Sequence, residues 1–150
     1  PQRLAGLLAE LLEKQGVGIE NGPDLTAVVK TLQERAKTLV EMAEGAHFYF
    51  VAPETYDEAS AEKFLTPEQR PVLELLIKHL GSLSSFALAD VESAFKALME
   101  ESGLKLGKIG PVVRVALTGG TVSPSIYDVV SVLGQDAVMA RLNKALLFLD

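Results

Sequence analysis

The fold class is decided by residues 109–117, Ile-Gly-Pro-Val-Val-Arg-Val-Ala-Leu. Its three valines favour a β-strand, whereas Pro111 is equally suited to the first turn of a short helix that ends near Gly119. The rest of the sequence predicts no second strand with which this segment could pair, and an unpaired strand would leave its backbone polar groups unsatisfied. We therefore predict a helix here and an all-α fold for the chain.

Outside this segment, apolar residues recur at the three- and four-residue spacing of amphipathic helices. The aromatic stretch at 47–50 is predicted to form a packed connection closed by Pro53, and Ser123 with Pro124 is predicted to start a helix that stops at Gly134. The predicted helices lie around residues 4–14, 24–45, 56–64, 67–80, 88–102, 111–119, 123–133 and 136–149.

The chain has the composition of a compact folded unit. Of its 150 residues, 48% are hydrophobic and 23% are charged, which excludes disorder for most of the chain. Residues 51–60 are the least apolar part and predict a boundary between two small multihelical subdomains, 1–58 and 59–150. Because residue 1 is Pro rather than Met, we expect the chain to be a piece of a longer protein.

Composition also excludes several functions. The absence of Cys rules out disulfides, a thiol nucleophile and thiolate metal ligands, and it favours the cytoplasm as location. The longest apolar runs, such as 48–52 and 145–149, are too short to span a membrane. His47 and His79 are too far apart for a metal-binding pair on one helix, and 103–108 lacks the spacing of a phosphate-binding loop. We expect a chain that has no catalytic residues, metal site or cofactor of its own.

Two arginines interrupt otherwise apolar patterns. If 24–45 is one helix, Arg35 falls on the apolar stripe of Val28 and Met42, and Arg114 stands among apolar neighbours in 109–117. Two interpretations of each remain open. The stem of the arginine can pack while its head reaches solvent or a carboxylate, or the guanidinium can be held rigidly to meet a planar, acceptor-rich ligand.

The charge is distributed unevenly along the chain. The first hundred residues carry nine basic and sixteen acidic side chains, a net charge of −7, whereas residues 101–150 carry five and four, a net charge of +1. A total of −6 argues against binding long duplexes through their phosphates. It is compatible with the recognition of a few unpaired RNA bases, which needs few positive charges.

Several short motifs follow one another in order along nearly the whole chain. They are Glu34-Arg35-Ala36-Lys37-Thr38-Leu39, Gly103-Leu104-Lys105-Leu106-Gly107-Lys108, Pro111-Val112-Val113-Arg114-Val115-Ala116-Leu117-Thr118-Gly119, Ser123-Pro124, Leu133-Gly134, Arg141-Leu142 and Ala145-Leu146. This ordered set resembles the C-terminal anticodon-binding region of bacterial glutamyl-tRNA synthetases. The family usually has Pro-Leu-Arg where this chain has Pro111-Val112-Val113-Arg114, so either one residue is inserted or Pro111 is displaced by one.

The resemblance implies a two-part α-helical cage that reads the anticodon loop of tRNA(Glu). It also implies an N-terminal catalytic domain on the same polypeptide, which uses ATP and Mg²⁺ to join glutamate to the tRNA; its signature motifs are not in this chain. Arg35 would contact the third anticodon base and separate glutamate from glutamine tRNAs. Arg114 would contact the other bases, with Ser123, Pro124 and Ile126 in the neighbouring loop.

The alternative is a helical protein-interaction or scaffold domain without RNA binding. In that case the acidic first hundred residues and the apolar stripes would form a groove for a partner protein. Binding of an anticodon stem-loop separates the two hypotheses.

Overall fold

The computed structural model describes residues 2–19, 22–33, 36, 38–53, 55–120 and 124–149. Across these ranges the regular secondary structure is helical, which confirms the all-α prediction, including a helix at 109–117. The elements are α1 Gln2–Lys14, α2 Leu25–Leu32, α3 Leu39–Phe50, α4 Glu58–Phe64, a short 3-10 helix Pro67–Gln69, α5 Arg70–Gly81, α6 Leu88–Ser102, α7 Leu106–Thr118, α8 Ile126–Leu133 and α9 Gln135–Leu149.

The chain divides into two compact units, Pro1–Ala52 and Pro53–Asp150. The division lies six residues before the boundary at 58 that the composition predicts. Two hydrogen bonds explain why residues 53–57 belong to the second unit. The Asp57 N–H donates to the Gly119 carbonyl at 2.7 Å, and the Lys144 ammonium donates to the Pro53 carbonyl.

The first unit consists of α1, α2 and α3, whose apolar faces pack on one another. Asp24 starts α2 as predicted, because its carboxylate accepts a hydrogen bond from the Ala27 N–H at 3.3 Å. The core of this unit is formed by Ala5, Leu8, Leu12, Val17, Val28, Val29, Leu32, Met42, Ala43, Ala46 and Tyr49.

The prediction of one helix over 24–45 is wrong. Helix α2 ends at Leu32, and Thr38 starts α3 by accepting a hydrogen bond from the Glu41 N–H at 3.1 Å. Apolar spacing alone does not reveal this break because it continues from one helix into the next. Residues 47–50 are the last turn of α3 and not a connection.

Gly45, the predicted end of that helix, lies inside α3. A Cβ atom at this position would be 3.1 Å from Leu32 Cδ2, which is closer than nine in ten real contacts of this kind. The glycine therefore allows α3 to approach α2 closely, and this packing outweighs the low helix propensity of glycine.

In the second unit, α7 is the most buried helix. Pro111 is inside it and not at its start, because the helix begins five residues earlier, at Leu106. Proline lacks the N–H that would bond the Gly107 carbonyl, and Gly107 is exposed, so water can satisfy that carbonyl. The buried residues of α7 are Ile109, Gly110, Val112, Val113, Val115, Ala116 and Leu117.

Helix α8 starts later than predicted. It begins at Ile126 after the N-cap position Ser125, so Pro124 precedes the helix; Ser123 lies outside the described residues. Gly134, with φ +85°, ends α8 as predicted. Helix α9 begins at Gln135, and Asp136 is in its first turn rather than at its cap, since the Val138 N–H bonds the Gly134 carbonyl.

Candidate functional site

Helix α7 and the segment after it carry the described residues of the predicted site in the second unit. Arg114 is half-buried on α7, and its carbonyl accepts a hydrogen bond from Thr118 Oγ1 at 2.8 Å. Pro124 is buried, and Ile126, at 2% exposure, is part of the core. Among these three, Arg114 therefore carries the largest polar side chain.

The Arg114 guanidinium lies over a part of α7 that has no side chain. Gly110 precedes it by one helical turn, on the same face. A Cβ atom at Gly110 would be 3.3 Å from Arg114 Nη1, and no other non-local atom of the described residues lies within 4 Å of it. The glycine therefore provides the space in which this guanidinium rests.

The C-terminal end of α7 is fixed by the predicted glycine at 119 and by a contact with α9 that the sequence does not predict. Gly119 ends the helix with φ +88°, a conformation that L side chains rarely adopt. Arg141 on α9 donates from Nη1 to the Leu117 carbonyl at 2.9 Å and is 6% exposed. Burial lowers the pKa of the Arg141 guanidinium from its ordinary value. This cation stabilises the negative end of the α7 dipole and so positions the helix that carries Arg114.

Two of the predicted site residues, Arg35 and Ser123, lie outside the described residues. The observed break between α2 and α3 removes one argument for Arg35, because Val28 and Met42 are on different helices and the spacing 28–35–42 does not define one face. The candidacy of Arg35 therefore rests on the resemblance alone.

Other polar groups in the second unit join helices at the surface. Glu101 on α6 contacts His79 Nε2 at 2.6 Å and Lys78 Nζ at 3.3 Å, both on α5. Both hydrogen bonds lower the pKa of the Glu101 carboxyl, and the bond with His79 has the larger effect. In the described ranges, no group of three His, Asp or Glu side chains is arranged to hold a metal ion. No described helix is long and apolar enough to cross a bilayer.

Comparison with known proteins places this arrangement in a family. Residues 3–146 match the family model "Anticodon binding domain". The chain is 54% identical over 148 residues to a glutamate–tRNA ligase of Geotalea uraniireducens and 48% identical over 150 residues to that of Geobacter sulfurreducens. These alignments cover 99% and 100% of the chain but 32% of each relative, so the chain spans about a third of their length.

The fold matches as well. A crystal structure of a glutamate tRNA ligase from Elizabethkingia meningosepticum superposes with a TM-score of 0.87 at 25% identity, covering 99% of this chain and 29% of that one. The resemblance predicted from the sequence is thereby confirmed, and the alternative of a scaffold domain finds no support in these comparisons. The chain belongs to the anticodon-binding domain family and corresponds to about a third of the length of each glutamate–tRNA ligase named above.

Proposed function

We propose that this chain reads the anticodon loop of tRNA(Glu) for a glutamate–tRNA ligase. The observation that carries the proposal is the Arg114 guanidinium, held above the bare backbone of Gly110 on a helix whose end is fixed by Arg141. A planar, pre-positioned guanidinium can stack on an unpaired base or form two parallel hydrogen bonds with its edge. Titration with an anticodon stem-loop tests the proposal, because a scaffold domain would not bind it.

Pro124 and Ile126 contribute to the proposed site only indirectly. Both are buried, so they support the start of α8 from within and do not present apolar surface to a base. Ser123 is part of the proposed contact on the resemblance alone. The RNA would then meet Arg114 as the main described polar group of this region.

The activity of the whole protein is part of the same proposal. The relatives are named for ligation of glutamate to tRNA, and the chain matches about a third of each. Activation of glutamate with ATP and Mg²⁺ would belong to a catalytic domain N-terminal to this region on the same polypeptide, acting in the cytoplasm. This chain would supply recognition of the tRNA.

Arg35 is proposed to distinguish glutamate from glutamine tRNAs at the third anticodon base. Replacing it by Gln should reduce the preference for the cognate base by about 1–3 kcal/mol, the size of a bidentate contact between a side chain and a base. Stem-loops that differ at this base alone, titrated against both proteins, measure the change. An unmutated protein that binds both stem-loops equally would remove Arg35 from the site.

Gly110 offers a test of how Arg114 is positioned. Gly110→Ala places a methyl group 3.3 Å from Arg114 Nη1, so the guanidinium must shift by a few tenths of an ångström, and we expect up to a several-fold loss of affinity for the stem-loop. The fold should be as stable or more so, by up to about 1 kcal/mol, because alanine is the better helix former. Thermal unfolding and RNA titration of the same sample measure both effects. Gly107→Ala is the control, because this position is exposed on the same helix and nothing in the described part of the chain lies within 4 Å of its Cβ. Unchanged affinity in Gly110→Ala would contradict the proposed position.

A further inference from the structure

An open cavity of about 450 Å³ in the second unit lies outside the predicted site. Its lining residues are Thr55, Tyr56, Lys144, Leu147 and Phe148. Leu147 and Phe148, on the last turns of α9, are 73% and 53% exposed, so apolar surface faces water along this wall. The volume is within the range of sites for small ligands and too small for a packed helix.

The aromatic pair in this cavity contains an unsatisfied polar group. The rings of Tyr56 and Phe148 pack edge to face, with centroids 4.9 Å apart and an interplanar angle of 72°. The Tyr56 hydroxyl is buried and, among the described residues, has no hydrogen-bond partner. Burial also raises the pKa of Tyr56, so the hydroxyl keeps its proton and can donate. Buried hydroxyls without partners are rare because they cost stability.

Lys144 adds a positive charge to the cavity. Its ammonium group donates to the Pro53 carbonyl, which holds it beside the aromatic pair. An ammonium group has three protons to donate, so this bond leaves capacity for an anionic oxygen.

The cavity is joined to helix α7. Asp57, next to Tyr56, donates its N–H to the Gly119 carbonyl at the end of α7. A Cβ atom at Gly119 would be 3.2 Å from Pro53 Cβ and 3.3 Å from the Thr55 carbonyl oxygen, so the residues flanking the cavity pack directly against this helix end. Arg114 is five residues earlier on the same helix, about 7.5 Å along its axis.

We propose that the cavity binds one unpaired nucleotide of RNA, with its base against Phe148 and its phosphate at Lys144. The Tyr56 hydroxyl, which is buried in the free protein, donates to the edge of the base once the exposed Phe148 ring turns away from it to stack on the base. The inference rests on the proposed function and adds a subsite to it. Aromatic faces combined with a cation are the usual means by which proteins hold unpaired nucleotides. An apolar peptide segment would use Leu147 and Phe148 but would leave the hydroxyl and the ammonium group without a matching acceptor.

The test compares three variants of the chain, Phe148→Ala, Tyr56→Phe and Lys144→Gln, in titrations with the anticodon stem-loop of tRNA(Glu). Loss of a stacked base should weaken binding roughly five- to a hundredfold in Phe148→Ala. Tyr56→Phe should weaken binding a few-fold while its melting temperature stays the same or rises, because the variant removes a hydroxyl that is unsatisfied in the free protein. Lys144→Gln should reduce affinity and its salt dependence. Leu88→Ala and Lys96→Gln, exposed positions on α6, are matched controls.

Abasic substitutions along the loop identify the nucleotide. One abasic position should weaken binding to the unmutated chain and have no further effect on Phe148→Ala, since both changes remove the same contact. If the unmutated chain and the controls bind RNA and the three variants bind equally well, the subsite is wrong and the proposed function stands. If the unmutated chain does not bind the stem-loop at all, both are wrong.

Discussion

Replacing Arg141 by Met is expected to lower the free energy of unfolding by about 1–3 kcal/mol and the melting temperature by roughly 3–10 °C. Arg141 is 6% exposed, and its guanidinium donates to the Leu117 carbonyl at 2.9 Å. Methionine retains much of the packing of the stem but leaves a buried carbonyl unpaired, and it removes a cation from the end of the α7 dipole. Relief of the desolvation that lowers the pKa of Arg141 offsets part of this loss.

Thermal and denaturant unfolding measure the effect. Arg3→Met, an exposed arginine on α1, is the matched control and should change stability by less than about 0.5 kcal/mol. RNA affinity should fall in Arg141→Met because the end of α7 loosens, although Arg141 itself touches no base in our account. A variant as stable as the parent chain would show that the contact with Leu117 does not hold α7.

Replacing Arg114 by Ala should weaken stem-loop binding about 10- to 100-fold and leave the melting temperature within a few degrees of the parent value. The loss follows from a contact worth about 1–3 kcal/mol between a guanidinium and a base. Arg114→Lys should restore little of the affinity, because an ammonium group can neither stack on a base nor form two parallel hydrogen bonds. If Arg114→Ala strongly lowers the melting temperature while the folded protein binds the stem-loop with unchanged affinity, Arg114 is a structural residue and not a contact to RNA.

Local signals in the sequence predict most of the helices. Gly103, Gly119 and Gly134 each have positive φ at or just beyond a helix end, as their positions after apolar stripes predict. The break between α2 and α3 is not predicted, because the apolar spacing continues through it. Thr38 could equally lie inside one long helix, and only its hydrogen bond with the Glu41 N–H identifies it as the start of α3.

The site is less predictable because its contacts join distant residues. Arg141 shares the helical spacing of Val138 and Leu142, a pattern typical of a buried face, but arginine is usually exposed. Its acceptor, Leu117, is 24 residues earlier and cannot be inferred from the pattern. Tyr56 and Phe148 are paired across 92 positions, so the cavity between them has no local signal at all. Arg114 is found from the sequence because it interrupts an apolar run.

The central claim is that this chain recognises the anticodon of tRNA(Glu) by its bases. The direct measurement is the dissociation constant for two stem-loops, one with the glutamate anticodon and one with the three anticodon bases replaced, each at a low and a higher salt concentration. Base contacts predict a preference for the cognate loop of at least tenfold that persists at both concentrations, with a shallow salt dependence from few phosphate contacts. Equal affinity for the two loops, or no binding of either, would contradict the account.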